Sequence, residues 1–153
     1  MKLTDILDES SIVADLQAST KTEALELLVD AMTRNSQSLD RQEILRVLLE
    51  REELGSTGIG DGIAIPHGKS PELEHIISGF GLSKQGIDFD SLDGKPAHLF
   101  FLLVAPENSV GTHLKMLARI SRMLKNVEFR NKLLEANSQH EIYQIISEED
   151  AKH

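Results

Sequence analysis

The stretch Ala97 to Ala105 limits the possible folds of this chain more than any other. Its longest unbroken apolar part, Leu99–Ala105, is seven residues, and Pro106 stops it. That is far too short to cross a membrane, but it has the pattern of a strand buried on both faces at the centre of a sheet. Helix signals lie on both sides of it. Thr20-Lys21-Thr22-Glu23 forms a capping box, in which a hydroxyl and a carboxylate satisfy orphan amides reciprocally. Leu25, Leu28, Val29 and Met32 then recur at helical spacing and predict a helix over about Lys21–Arg34. A second box, Asp40-Arg41-Gln42-Glu43, opens a helix with Ile44, Val47, Leu48 and Arg51 on one face. Gly55 suits the left-handed turn that ends it near Leu54.

After Pro106 the pattern is helical again. Leu114, Leu117, Ile120, Ser121 and Leu124 mark a helix starting near Ser109, and Phe129 and Leu133 mark a short one after Asn126. Ser138-Gln139-His140-Glu141 is a third box, ahead of Ile142, Ile145 and Ile146. Between the helical ends, Ile63-Ala64-Ile65 is a short apolar piece and Ile76–Leu82 alternates as a strand does. Helices at both ends, strands gathered between them and no strict βαβ alternation predict an α/β fold. In it a mixed β-sheet is sandwiched by α-helices, in a single domain over residues 1–153.

Composition removes whole classes of function. With no cysteine, a disulfide framework, a thiolate zinc site and a cysteine nucleophile are excluded. Asp and Glu number 25 against 16 Lys and Arg, a formal charge of −9. Such a surface repels nucleic acid and anionic lipid and favours basic partners. No signal-peptide apolar region follows Met1, so the expectation is a cytoplasmic protein without direct membrane insertion.

The unusual residues concentrate in Gly55-Ser56-Thr57-Gly58-Ile59-Gly60-Asp61-Gly62-Ile63-Ala64-Ile65-Pro66-His67-Gly68-Lys69-Ser70. Gly68-Lys69-Ser70 imitates the end of a P-loop, but the glycine due five positions earlier is Ile63, and Pro66 removes a backbone amide. His140-Glu141 imitates the start of a zinc-protease helix, but the second ligand position holds Gln144. What remains is His67, held between Pro66, which fixes the backbone, and Gly68, which allows close approach to the ring. A neutral imidazole is a good nucleophile near pH 7. One nitrogen attacks phosphorus while the other donates its proton to a fixed acceptor, which sets the tautomer.

The segment Glu50 to Lys69 closely resembles the phosphorylation-site segment of the IIA domains of the bacterial phosphoenolpyruvate-dependent sugar phosphotransferase system. Within that family it resembles the fructose/mannitol class, and its stand-alone nitrogen-regulatory members in particular. The likeness extends to Thr112-His113-Leu114 at a helix start and to Glu141–Ile146, so it covers nearly the whole chain. It implies a mixed sheet flanked by helices, no cofactor and no metal. It also implies that His67 accepts a phosphoryl group from an HPr-like phosphocarrier protein, which enzyme I supplies from phosphoenolpyruvate.

The resemblance further implies that His113 and Arg51 hold the phosphoryl oxygens, one from a helix N-terminus and one through its planar guanidinium. Ser56, Thr57 and Gly68 are weaker binding candidates, since turn chemistry also explains the two hydroxyls. Lys69 is a possible attractor of phosphate, and Asp61 and Glu72 are candidates for an acidic docking rim. Two outcomes fit the resemblance: a nitrogen-type regulator that binds a target protein according to its phosphorylation, or a transport component passing phosphate to a IIB domain. The Gly-Ser-Thr-Gly-Ile-Gly run and the lack of an attached IIB or IIC segment favour the regulator. The rival from another class is a non-enzymatic module whose glycine loop merely holds an anion.

Overall fold

The computed structural model describes residues 1–34 and 36–153. A 3-10 turn at Leu3–Asp5 leads into strand β1 (Leu7–Val13), then helices α1 (Lys21–Thr33) and α2 (Arg41–Glu53). Four strands follow with little between them: β2 (Gly58–Gly60), β3 (Ile63–Ala64), β4 (His67–Ser70) and β5 (Ile77–Ile87). Strand β6 (Ala97–Pro106) precedes helices α3 (Val110–Leu124), α4 (Val127–Glu135) and α5 (Gln139–Asp150). Among the described residues no helix is long and apolar enough to cross a membrane.

The six strands form one mixed sheet in the order β1-β5-β6-β3-β2, with β4 also paired to β6. β6 runs antiparallel to β5 and parallel to both β3 and β4. Its side chains alternate between two cores. Leu99, Phe101, Leu103 and Ala105 pack with α3, α4 and α5 through Met116, Ile120, Phe129, Leu133 and Ile142. Phe100, Leu102 and Val104 pack with α1 and α2 through Leu25, Leu28, Ile44 and Leu48. The seven-residue apolar run is thus apolar throughout because helices cover both faces of the strand.

Caps set the helix starts where the sequence puts them. The Thr20 hydroxyl accepts from the Glu23 amide at 3.1 Å, and the Ser138 hydroxyl from the Glu141 amide at 3.1 Å. Asp40 accepts from the Gln42 and Glu43 amides at 3.0 and 3.2 Å. Each such cap is worth about 1 kcal/mol.

Three features depart from the sequence expectation. The chain does not open on a helix: β1 precedes α1 and pairs with β5 in parallel. Its Asp8, Glu9, Ser10 and Ser11 sit on a sheet edge with an irregular register, so the strand lacks the alternation that would announce it. Strand β5 runs on from Leu82 to Ile87 through polar Ser83, Lys84 and Gln85. The stripe of α3 is rotated, and its buried face is His113, Met116, Ile120, Met123 and Leu124. Leu114 lies 60 % exposed and Leu117 only partly covered.

Candidate functional site

The glycine-rich segment is a short hairpin. Asp61 and Gly62 both adopt positive φ, 57° and 77°, and reverse the chain between β2 and β3. This is the two-residue turn that an Asp-Gly pair supports. From there Ile63 and Ala64 pair with Leu99 and Phe100 of β6, and His67 pairs with Leu103 farther along the same strand. The Pro66 carbonyl accepts from the Leu103 amide at 3.0 Å. The candidate nucleophile is therefore fixed to the most buried strand of the protein.

The His67 ring is half-buried, and its Nδ1 lies 2.7 Å from the carbonyl oxygen of Ile65. A carbonyl only accepts, so Nδ1 carries the proton and Nε2 keeps its lone pair. Burial lowers the His67 pKa below 6.5 and the Arg51 cation adds to this, while the Ile65 carbonyl and Glu52 oppose them. The ring is thus held neutral at pH 7, in the tautomer that exposes Nε2 as a base.

His113, in the first turns of α3, brings a second imidazole edge-on to the first, with ring centroids 5.7 Å apart and planes at 70°. It is 3 % exposed, and its Nδ1 is buried without a hydrogen-bond partner. Burial, followed by the charges of His67 and Lys69, lowers its pKa from 6.5 to about 4. A buried polar atom without a partner is costly, so an oxygen-rich ligand reaching it would satisfy it.

The unfolded chain takes a proton at His113 near 6.5, whereas the folded chain refuses it down to about 4. The stability given by the neutral ring is therefore complete above pH 6.5 and is lost progressively as pH falls towards 4. Urea midpoints should drop between pH 7 and pH 5, and less steeply in His113→Gln. An equally steep drop in that variant would assign the loss to other groups.

Both rings line an open cavity of about 820 Å³ between α2, β4 and α3. Arg51 enters it from the last turn of α2, where one guanidinium nitrogen donates to the Gly55 carbonyl at 2.9 Å. A guanidinium has five N–H donors, so most remain available to an anion. Lys69 adds positive charge, whereas Arg46, also at the cavity, is paired with Glu43 and Glu50. Leu54, Val110 and Leu114, which are 85 %, 47 % and 60 % exposed, form an apolar rim with Glu50, Glu53 and Glu107 among them.

Gly68 also lines the cavity, but its lack of a side chain serves α2 first. A Cβ there would lie 2.5 Å from Val47 Cγ1. Gly68→Ala should cost about 1–3 kcal/mol through this overlap. Denaturation of the Gly68→Ala/Val47→Ala double variant should recover part of the loss; simple additivity of the two single changes would contradict the contact.

Ser56 and Thr57 do not line this cavity. The Ser56 hydroxyl donates to the Phe89 carbonyl at 2.5 Å, and the buried Thr57 hydroxyl bonds to Glu52. Asp61 and Glu72 lie at two other depressions of the surface. The apolar rim escapes sequence reading because Leu114 and Leu117 pass as core residues until the rotation of α3 is known. Among the described residues, no group of three or more His, Asp or Glu side chains is placed to hold a metal ion.

Known proteins share both the sequence and the fold. Residues 5–149 match the family described as phosphoenolpyruvate-dependent sugar phosphotransferase system, EIIA 2. A nitrogen regulatory protein of Bradyrhizobium diazoefficiens is 40% identical over 147 residues, 96% of this chain and 95% of that protein. The fructose-specific EIIABC component of Bacillus subtilis is 40% identical over 150 residues; this chain aligns over 98% of its own length but spans only 24% of that protein. The crystal structure of the nitrogen regulatory protein IIA-Ntr from Neisseria meningitidis superposes with a TM-score of 0.85 at 34% identity, over 93% of this chain and 97% of that one. The chain belongs to the EIIA 2 family of the phosphoenolpyruvate-dependent sugar phosphotransferase system and is a phosphotransfer protein.

Proposed function

We propose that Nε2 of His67 is the phosphoryl acceptor and that the protein receives its phosphate from an HPr-like phosphocarrier. The observation that carries this is the 2.7 Å bond from Nδ1 to the Ile65 carbonyl, which leaves Nε2 the free nitrogen of a ring lining the cavity. In the reaction, the Nε2 lone pair forms a bond to phosphorus as the carrier's N–P bond breaks. The electron pair of that bond returns to the carrier's imidazole. The proton stays on Nδ1, donated to the Ile65 carbonyl, so no proton has to leave the ring. Arg51 and the N–H of His113 stabilise the equatorial oxygens, since phosphoryl transfer is mainly positioning and charge stabilisation.

The apolar rim at Leu54, Val110 and Leu114 suits a partner with an exposed apolar patch, and the acidic residues among it suit basic ones around that patch. This reading puts the protein in the cytoplasm with its donor, as a histidine phosphocarrier. The test starts from purified phospho-carrier. One phosphoryl group should pass to this protein without ATP or added metal, acid-labile and base-stable as a phosphoramidate is. Anion binding without covalent label would support a mere anion-binding module instead.

The protein acts as a nitrogen-type regulator in this reading. Its support is the likeness to nitrogen regulatory proteins over nearly their full length. A doubly charged phosphate beside the apolar rim adds repulsion or desolvation for an acidic or apolar partner. A tenfold change in affinity needs only about 1.4 kcal/mol. Pull-downs with phosphorylated and unmodified protein should recover different partner sets. The equal likeness to a fructose-specific component is consistent with the alternative, passage of phosphate to a IIB domain, without favouring it. Identical partner sets together with rapid discharge to a IIB protein would establish that alternative.

A further inference from the structure

We infer that Glu52 is a positioning residue for His67: through Thr57 it holds the backbone of Ile65, whose carbonyl fixes the proton on Nδ1. The inference rests on the reading of His67 as acceptor and names what keeps that acceptor in its reactive form.

Glu52 breaks two rules at once. It is a carboxylate in the last turn of α2, where the helix dipole disfavours negative charge, and it is only 9 % exposed. Burying a charge is repaid only when its partners are well placed, so stability by itself gives little reason for a glutamate here. Its partners, however, form a directed chain. One oxygen accepts from Lys21 Nζ at 2.8 Å and from the Thr57 amide at 3.0 Å, while the other bonds to the Thr57 hydroxyl. Lys21 is itself seated over the Phe89 ring, 4.7 Å from its centroid. Thr57 is thus clamped at both its amide and its side chain.

The clamp reaches the nucleophile in two further bonds. The Thr57 carbonyl accepts from the Ile65 amide at 3.0 Å, and the Ile65 carbonyl meets His67 Nδ1 at 2.7 Å. These bonds determine which nitrogen is free. A neutral histidine side chain in water prefers its proton on Nε2, the nitrogen that must here be bare to attack. The protein has to impose the less favoured tautomer, and a rigidly held acceptor at Nδ1 is how it does so. The Ile65 carbonyl and, more weakly, the charge of Glu52 also oppose the lowering of the His67 pKa. Serine and threonine in a glycine-rich turn have ordinary local roles; Thr57 differs in being tied to an ion pair that spans α1 and α2.

The test reads the tautomer directly, by 15N spectra of the imidazole rings in the unphosphorylated full-length protein. In the unsubstituted protein His67 should show a pyrrole-like Nδ1 and a pyridine-like Nε2. In Glu52→Ala the two signals should move towards each other, as part of the population shifts its proton to Nε2. Single-turnover transfer from phospho-carrier should slow on the order of tenfold to a hundredfold, the usual penalty for a displaced reacting group. Glu52→Gln can keep the Thr57 bonds and should retain most of the tautomer and the rate. A folded Glu52→Ala protein with unchanged His67 15N shifts overturns the positioning role. If Glu52→Ala does not fold, Thr57→Val carries the same test: a mixed tautomer supports the chain of bonds and an unchanged one overturns it. Label that persists in His67→Ala overturns the acceptor reading, and the transfer part of this proposal with it, whereas the 15N shifts judge the positioning alone.

Discussion

In the His67→Ala variant a phosphorylated HPr-like carrier is expected to leave no acid-labile label, a fall to background on the order of 10³-fold or more. No other histidine combines His67's features. His113 is 3 % exposed, and its pKa of about 4 marks a weak base. His98 also bonds through Nδ1, to the Ser83 carbonyl at 2.8 Å, but it lies at a different depression with Asp61 and Arg130. His140 and His153 are engaged by Glu9 and Glu149, and His75 is exposed at another depression, with Glu72 and Glu74. The variant should keep its fold, because the His67 ring belongs to the cavity and neither apolar core includes it. Intact label on folded His67→Ala protein would move the acceptor elsewhere.

The second large effect concerns the two groups proposed to hold the transferring phosphoryl. His113→Ala and Arg51→Ala should each slow single-turnover transfer on the order of 10²-fold, the typical cost of losing one preorganised donor. Conservative variants separate chemistry from packing. His113→Gln keeps an N–H and should lose less than His113→Ala. Arg51→Lys keeps the charge but not the planar fork, and should remain impaired. Transfer at an unchanged rate in both alanine variants would leave His113 as a core histidine and Arg51 as the cap of the Gly55 carbonyl.

The pattern of agreement between sequence and structure has a physical explanation. The central strand and the helix starts were legible because local chemistry dictates them: burial on both faces of β6, and a side-chain oxygen placed before each of α1, α2 and α5. Strand β1 was not legible, because an edge strand of irregular register carries Asp8 and Glu9 without penalty and so lacks a clean alternation. The α3 stripe was read correctly at Ile120 and Leu124 but one residue out of phase in its first half, where His113 and Met116 are the buried residues. Leu114 is as apolar as a core residue, and only the packed structure shows it at the cavity instead, while Leu117 both lines the cavity and packs partly against the core.

The site divides in the same way. The family resemblance carried by the Pro-His-Gly segment, rather than its spacing, pointed to His67 without any contact being known. The partners of Ser56 and Thr57 lie in Phe89 and in Glu52, and the second of these links extends to Lys21. Such long-range bonds have no periodicity by which a sequence could show them. Gly68 was noticed for the right property, the absence of a side chain, but the group that first uses the space is Val47 of the same molecule.

The most direct measurement is the phosphorus–nitrogen coupling in protein carrying 15N-labelled histidine, phosphorylated from a purified carrier and kept at alkaline pH. The account predicts one 31P signal coupled to Nε2 of His67, with Nδ1 still protonated against the Ile65 carbonyl. Coupling to Nδ1, coupling to any other histidine, or a phosphoprotein with no nitrogen coupling at all would contradict it.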